Sequence, residues 1–160
     1  MPYLIDGNNL IGHMPALDLS DPRSKRRLVE QLAVFQSAKK TKIILVFDGP
    51  MDPDLAGDDF RRKEFSILWP DMGESADSLI KKQIKTQTDL RRFYVVSSDR
   101  EIQNFARKNK AKILDCQQFH KRMRWALKEY KESQAMNKDE AALTSLEVEH
   151  WLDIFGASDE

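Results

Sequence analysis

Cysteine is almost absent from this chain, and long apolar runs are missing altogether. The 160 residues include a single cysteine, Cys116, which excludes an internal disulfide and fits a reducing compartment. We expect this thiol to be a small buried side chain rather than a catalytic nucleophile. No apolar stretch is long enough to cross a bilayer, and a short strand pattern stands where a signal peptide would begin. The sequence therefore predicts a cytoplasmic protein with no membrane partner.

Histidine is scarce too, which leaves few candidates for a general base or for a nitrogen ligand of a metal ion. The three histidines are His13, His120 and His150, and none of them adjoins a motif suited to a general base. Any metal site would therefore be built from oxygen ligands.

The zero net charge of the whole chain hides an asymmetry. Residues 131–160 hold two lysines and eight acidic residues, a net charge of −6, so residues 1–130 carry +6. A basic body with an acidic tail is typical of proteins that bind polyanions, although ordinary surface variation produces the same imbalance.

Short apolar runs alternate with amphipathic segments along the first 130 residues. Strands are predicted at 2–5, 42–47, 65–69, 93–97 and 112–114. Helices are predicted from Ser20-Asp21-Pro22 to about 38, from a cap at Ser75, over 100–108 and over 116–130. This alternation predicts an α/β fold in which helices cover both faces of a mainly parallel sheet.

The remaining residues are expected to lie outside this domain, which spans residues 1–130. Residues 131–143 are polar and weakly patterned, and we interpret them as a linker. Residues 144–160 form a predicted amphipathic helix with an acidic end, and Trp151 and Phe155 lie on its apolar stripe. A helix this short is not stable alone, so it is expected to dock in cis or on a neighbouring subunit.

Four aspartates follow the apolar segments and form the main candidate site. Asp6 and Asp48 come at the ends of the first two strands, Asp99 follows the fourth, and Asp77 begins a helix. Each one alone has a structural explanation as a turn residue or a helix cap. Strand ends of a parallel sheet share one edge, however, and carboxylates gathered there suit Mg²⁺ or Mn²⁺.

Four motifs containing these aspartates give a more specific interpretation. They are YLIDGNN at 3–9, VFDG at 46–49, ADSLI at 76–80 and VVSSDRE at 95–101. In order and spacing they resemble the NYN domains of PIN-like nucleases, and within these the YacP-like branch. The resemblance covers about residues 2–127. It implies a PIN-like three-layer α/β/α fold and Mg²⁺- or Mn²⁺-dependent cleavage of RNA.

The resemblance also implies roles for individual residues. Asp6, Asp77 and Asp99 match the acidic metal site of the family, and Asp48 matches its second-strand Asp-Gly. Asn9 is expected to assist catalysis beside these carboxylates. Ser98 and Arg100 fall beside the site in matching motifs.

Basic residues near the predicted site are candidates for binding phosphates. The predicted RNA-binding residues are Arg61, Arg62, Lys63, Lys81 and Arg100. Trp69 and Trp125 could stack on unpaired bases, but packing in the core or at a sheet edge is the expectation for both.

The predicted function is that of a metal-dependent endoribonuclease acting on single-stranded RNA, which a ribosome or another ribonucleoprotein could present. The main alternative is a module of the same fold that binds RNA or a ribonucleoprotein with little or no cleavage. A small-molecule phosphatase of the haloacid-dehalogenase type is disfavoured, since no Asp-x-Asp pair follows the first strand.

Overall fold

In the part of the chain that the structure describes, five parallel strands form the centre of the fold. The computed structural model describes residues 1–55 and 64–136. The strands are β1 Tyr3–Asp6, β2 Ile43–Val46, β3 Phe65–Leu68, β4 Tyr94–Val96 and β5 Lys112–Leu114. Their order across the sheet is β3-β2-β1-β4-β5, so the first strand of the sequence is the middle one. All five predicted strands are confirmed, and every pairing among them is parallel.

Helices cover both faces of this sheet. They are α1 Gly7–Gly12, α2 Ser24–Lys39, α3 Ala76–Thr86, α4 Arg100–Lys108 and α5 Cys116–Met136, and a 3₁₀ helix at Leu90–Arg92 precedes β4. The predicted three-layer α/β/α architecture is confirmed.

The middle strand, β1, has apolar side chains on both faces of the sheet, so each face needs an apolar core of its own. Tyr3 and Ile5 point into one core, which α1, α2 and α5 cover. Leu4 points the opposite way, into a core that α3 and α4 cover. Because side chains alternate along a strand, a continuous apolar run such as that of β1 is buried on both sides.

Helix α1 was not predicted from the sequence. Its first residue, Gly7, directly follows Asp6, so strand passes into helix without a connecting residue. A Cβ atom on Gly7 would lie 2.7 Å from the ring of Phe47 and 2.9 Å from the carbonyl oxygen of Val46. Only glycine allows this close approach of α1 to β2.

Two helix boundaries also differ from the prediction. Helix α2 begins at Ser24 instead of at Ser20-Asp21-Pro22, because the Asp21 carboxylate accepts a hydrogen bond from the Arg23 backbone and closes a turn first. Helix α5 continues to Met136, so residues 131–136 of the predicted linker are helical.

The rest of the predicted linker and the predicted C-terminal helix, 137–160, lie outside the described residues. In the part of the chain that is described, no helix combines the length and the apolar character that a membrane span requires.

Candidate active site at the carboxyl ends of the strands

The four predicted aspartates all lie at the carboxyl edge of the sheet. Asp6 is the last residue of β1, and Asp48 follows β2 by two residues. Asp99 caps the amino terminus of α4, and its carboxylate accepts hydrogen bonds from the backbone nitrogens of Glu101 and Ile102. Asp77 is the second residue of α3, which Ser75 caps. The open edge of a parallel sheet is where ligands usually bind.

Asp6 has the most restricted environment of the four. Only 7% of its surface is exposed, and its Oδ2 accepts a hydrogen bond of 3.1 Å from the Ser97 hydroxyl. Burial raises the pKa of Asp6 from 3.8 to about 6, while the bonds from Ser97 and from the Asn9 backbone act against this change. The negative charges of Asp77 and Asp99 make a smaller contribution to the same increase. A buried carboxylate beside two others gains most from a nearby cation.

Asp77 belongs to the same electrostatic cluster. Its pKa is raised first by burial and then by the charges of Asp99 and Glu101, while Lys81 opposes the shift. Asp48 is more exposed and adds a smaller repulsion to Asp77. The fold thus gathers the carboxylates of Asp6, Asp77 and Asp99, with Asp48 at the margin.

The structure does not bring these carboxylates into contact around one point. Among residues 1–55 and 64–136, no three histidine, cysteine, aspartate or glutamate side chains are close enough together to hold one metal ion. The chemistry of the donors nevertheless fits Mg²⁺ or Mn²⁺, since all four are hard oxygen ligands and a cation would offset their mutual repulsion.

Asn9 holds three chain segments together beside the carboxylates. Its Oδ1 accepts hydrogen bonds from the Ser98 backbone nitrogen at 2.8 Å and from the Cys116 thiol at 3.1 Å. The neighbouring Asn8 accepts a bond from the Asp48 backbone nitrogen at 3.0 Å. These two asparagines therefore fix the loops after β2 and β4 against α1.

Ser97 is the site residue that the sequence did not single out. Its hydroxyl donates to Asp6 and accepts from the Asp99 backbone nitrogen at 3.1 Å, so it joins two of the carboxylate-bearing segments. The side chain of Gln103 holds the Ser97 carbonyl oxygen at 2.8 Å. In the sequence, the only feature that could have indicated this role is the position of Ser97 at the end of a predicted strand, just before Asp99.

The structure describes two of the five predicted RNA-binding residues. Lys81 lies at the site and pairs with Glu101 at 2.6 Å, and Arg100 is exposed in the first turn of α4. Arg61, Arg62 and Lys63 lie outside the described residues. A cation not included in the prediction, Lys25, reaches the Asp48 carbonyl oxygen at 3.5 Å.

The two candidate stacking residues differ as well. Trp69 is partly buried and packs near Phe47, with ring centroids 6.2 Å apart, as expected. For Trp125 the expectation of packing was wrong, because 65% of its surface is exposed on α5.

Cys116 is predicted to resist alkylation in the native state. It is fully buried, as expected, and burial raises the pKa of its thiol to about 11, so little thiolate is present at pH 8. We expect iodoacetamide to label the folded protein far more slowly than the protein unfolded in urea, which mass spectrometry would show. Equally fast labelling in both states would contradict this environment.

Comparison with known proteins extends the likeness beyond the four motifs. The sequence model of the YacP-like NYN domain matches residues 3–154. No curated protein gives a significant match. The crystal structure of Rae1 (YacP) from Bacillus subtilis has a TM-score of 0.75 and 20% identity, covering 98% of this chain and 92% of that one. A second crystal structure of Rae1 (YacP), its W164L mutant, has a TM-score of 0.71 and 20% identity over 98% of both chains. At such low identity the two structures show a shared fold.

Proposed function

Because the chain belongs to the family of YacP-like NYN domains, which have a PIN-like nuclease fold, we propose that it is a metal-dependent endoribonuclease. The observation that carries this proposal is Asp6. It lies in the middle of the sheet edge and is buried, and its pKa is raised by this burial and by the charges of Asp77 and Asp99. A carboxylate destabilised in this way is suited to binding a divalent cation.

We propose that Asp6, Asp77 and Asp99 hold Mg²⁺ or Mn²⁺, with Asp48 at the margin. When bound, the ion supplies a water of lowered pKa and a positive charge for the phosphodiester. The rest of the site belongs to the chain itself. Ser97 orients the Asp6 carboxylate through its hydroxyl, and Asn9 fixes the backbone next to it.

The RNA is proposed to lie along this edge as a single strand. Arg100 is the first residue of α4, where its cation and the backbone N–H groups both attract phosphates, and Lys81, in the middle of α3, reaches this end of α4 through its pair with Glu101. Arg61, Arg62 and Lys63 are proposed to add further phosphate contacts. A ribosome or another ribonucleoprotein remains a proposed source of the strand, and the predicted C-terminal helix a proposed docking element.

Replacing Asp77 with asparagine tests the proposal. We expect the wild type to cut an end-labelled single-stranded RNA when Mg²⁺ or Mn²⁺ is added and not in EDTA. Asp77→Asn is expected to lower the cleavage rate at least about 100-fold, since a ligand of the ion is lost. Asp89→Asn is the matched control. Asp89 caps only the 3₁₀ helix that precedes β4, so it lies near the amino ends of the strands and away from the four aspartates.

The alternative is a binding module of the same fold. The separation of the carboxylates in the described residues is the observation that favours it. RNA binding by the wild type without cleavage in either metal would support the module and reject the nuclease. Cleavage that Asp77→Asn leaves unchanged would place the activity elsewhere or in a contaminant.

A further inference from the structure

A pocket opens at the amino ends of the strands, away from the carboxylates. Its volume is about 530 Å³, within the range of pockets that hold small ligands. Tyr3 and Tyr94, the first residues of β1 and β4, form its floor as a stacked pair with centroids 5.2 Å apart. Helices α2 and α5 form its walls. The pocket has no part in the proposed cleavage, because the strands separate it from Asp6.

Arg122 is held in a fixed position in this pocket. Its guanidinium lies 4.9 Å from the ring centroid of Tyr94, and one of its nitrogens donates a hydrogen bond of 3.2 Å to the Tyr3 hydroxyl. Contacts of this kind orient the planar group before any ligand arrives. A planar cation fixed on an aromatic floor suits a ligand that has both a flat ring and negative charge.

Trp125 follows Arg122 by nearly one helical turn and also lines the pocket. Its 65% exposure is unusual for the largest apolar side chain, so the indole offers a free face. The rim is basic: Lys39 and Lys121 line it, and Lys128 lies 5.7 Å from the Trp125 ring. Glu129 offsets one of these charges through its pair with Lys39 at 3.2 Å.

We propose that this pocket binds a nucleotide of single-stranded RNA, its base stacked on Trp125 and its phosphate close to Arg122 and Lys121. The inference rests on the proposed function in one respect, namely that RNA is the ligand. Exposed aromatic rings beside cations are the groups with which proteins bind single strands regardless of sequence. The pocket would hold the strand on the side of the molecule opposite the cleavage site.

A mononucleotide is the probe for this pocket, since it cannot reach from one edge of the sheet to the other. The full-length protein is labelled with ¹⁵N and titrated in EDTA with uridine or adenosine monophosphate. We expect the indole N–H resonance of Trp125, assigned by its loss in Trp125→Ala, to shift with saturation. Inorganic phosphate alone should shift it much less, because it offers no ring for stacking.

Affinity for a longer strand gives a second measurement. In EDTA, Trp125→Ala is expected to weaken binding of a labelled 20-nucleotide single-stranded RNA about tenfold, and Trp125→Phe much less. Leu19→Ala is the control, because Leu19 is also an exposed apolar side chain but lies outside the pocket. Because Trp125 is exposed, we expect its variants to fold as the wild type does, and thermal melting checks this directly.

The same experiments separate the competing occupants. No shift with either nucleotide and unchanged RNA affinity in Trp125→Ala would overturn the proposal. A shift caused by deleting residues 144–160, with none caused by nucleotides, would overturn it in favour of the predicted C-terminal helix. Because no measurement requires cleavage, a response of Trp125 in a protein that cuts no RNA would support the pocket and reject only the nuclease.

Discussion

Replacing Asp6 with asparagine is expected to stabilise the metal-free protein at neutral pH and, at the same time, to abolish RNA cleavage. The folded-state pKa of Asp6 is about 6, against an ordinary value of 3.8, so the folded protein binds this proton more tightly than the unfolded chain does. The free energy of unfolding therefore falls as pH rises from about 4 to about 6, and stays lower above that.

The size of this effect follows from the shift. Each pKa unit corresponds to about 1.4 kcal/mol, so ionised Asp6 lowers the free energy of unfolding by roughly 3 kcal/mol at pH 8. Asn at this position keeps an oxygen that accepts the Ser97 hydrogen bond and brings no charge. We expect Asp6→Asn to be more stable than the wild type by up to about 3 kcal/mol at pH 8 and equally stable at pH 4.

Urea denaturation of both proteins in EDTA across this pH range measures the difference. Mn²⁺ should then raise the denaturation midpoint of the wild type and much less that of Asp6→Asn, since the ion binds the folded state. A variant that is less stable than the wild type at pH 8 would show that Asp6 holds the fold together, contrary to its electrostatic environment.

Replacing Gly7 with alanine is expected to destabilise the fold, although alanine favours helices. The added Cβ would lie 2.7 Å from the Phe47 ring and 2.9 Å from the Val46 carbonyl oxygen. Phe47 is fully buried, so its ring has little room to move. We expect the free energy of unfolding to fall by about 1–3 kcal/mol, as in other overpacked cores.

Gly12, at the other end of the same helix, provides the control. A Cβ there would meet only a side-chain carbon of Leu19, at 3.8 Å, which is ordinary contact. Gly12→Ala is therefore expected to be neutral or to stabilise by up to about 1 kcal/mol. Urea denaturation of the two variants makes the comparison, and equal effects would show that the contact between α1 and β2 is not constraining.

The sheet could be predicted because its signals are local. Residues 43–47 are apolar throughout, as is typical of a strand that is buried on both faces. Helix α1 escaped prediction because Gly7, Asn8 and Asn9 are turn-forming residues whose partners, Asp48 and Ser98, are distant in sequence. No local pattern reveals that such contacts will compensate a poor helix start.

In the candidate site too, features set by local sequence could be predicted, and features that depend on distant contacts could not. Its aspartates could be placed at one edge, since parallel strands end together, whereas the Ser97–Asp6 bond depends on β4 lying next to β1. The exposure of Trp125 could have been found from the sequence. At 3.6 residues per turn it lies roughly 200° around α5 from Met123, and so on the solvent side.

The central position of β1 has a consequence for how the chain folds. Of the five strands, β1 is the first to be synthesised, yet it pairs with β2 and then with β4, whose register joins Tyr3 to Tyr94. A growing chain therefore keeps an apolar strand with an unpaired side until most of the domain exists. Contact order is high for such a topology, so the sheet closes slowly. Shielding the nascent strand from aggregation therefore matters more here than in folds built from hairpins.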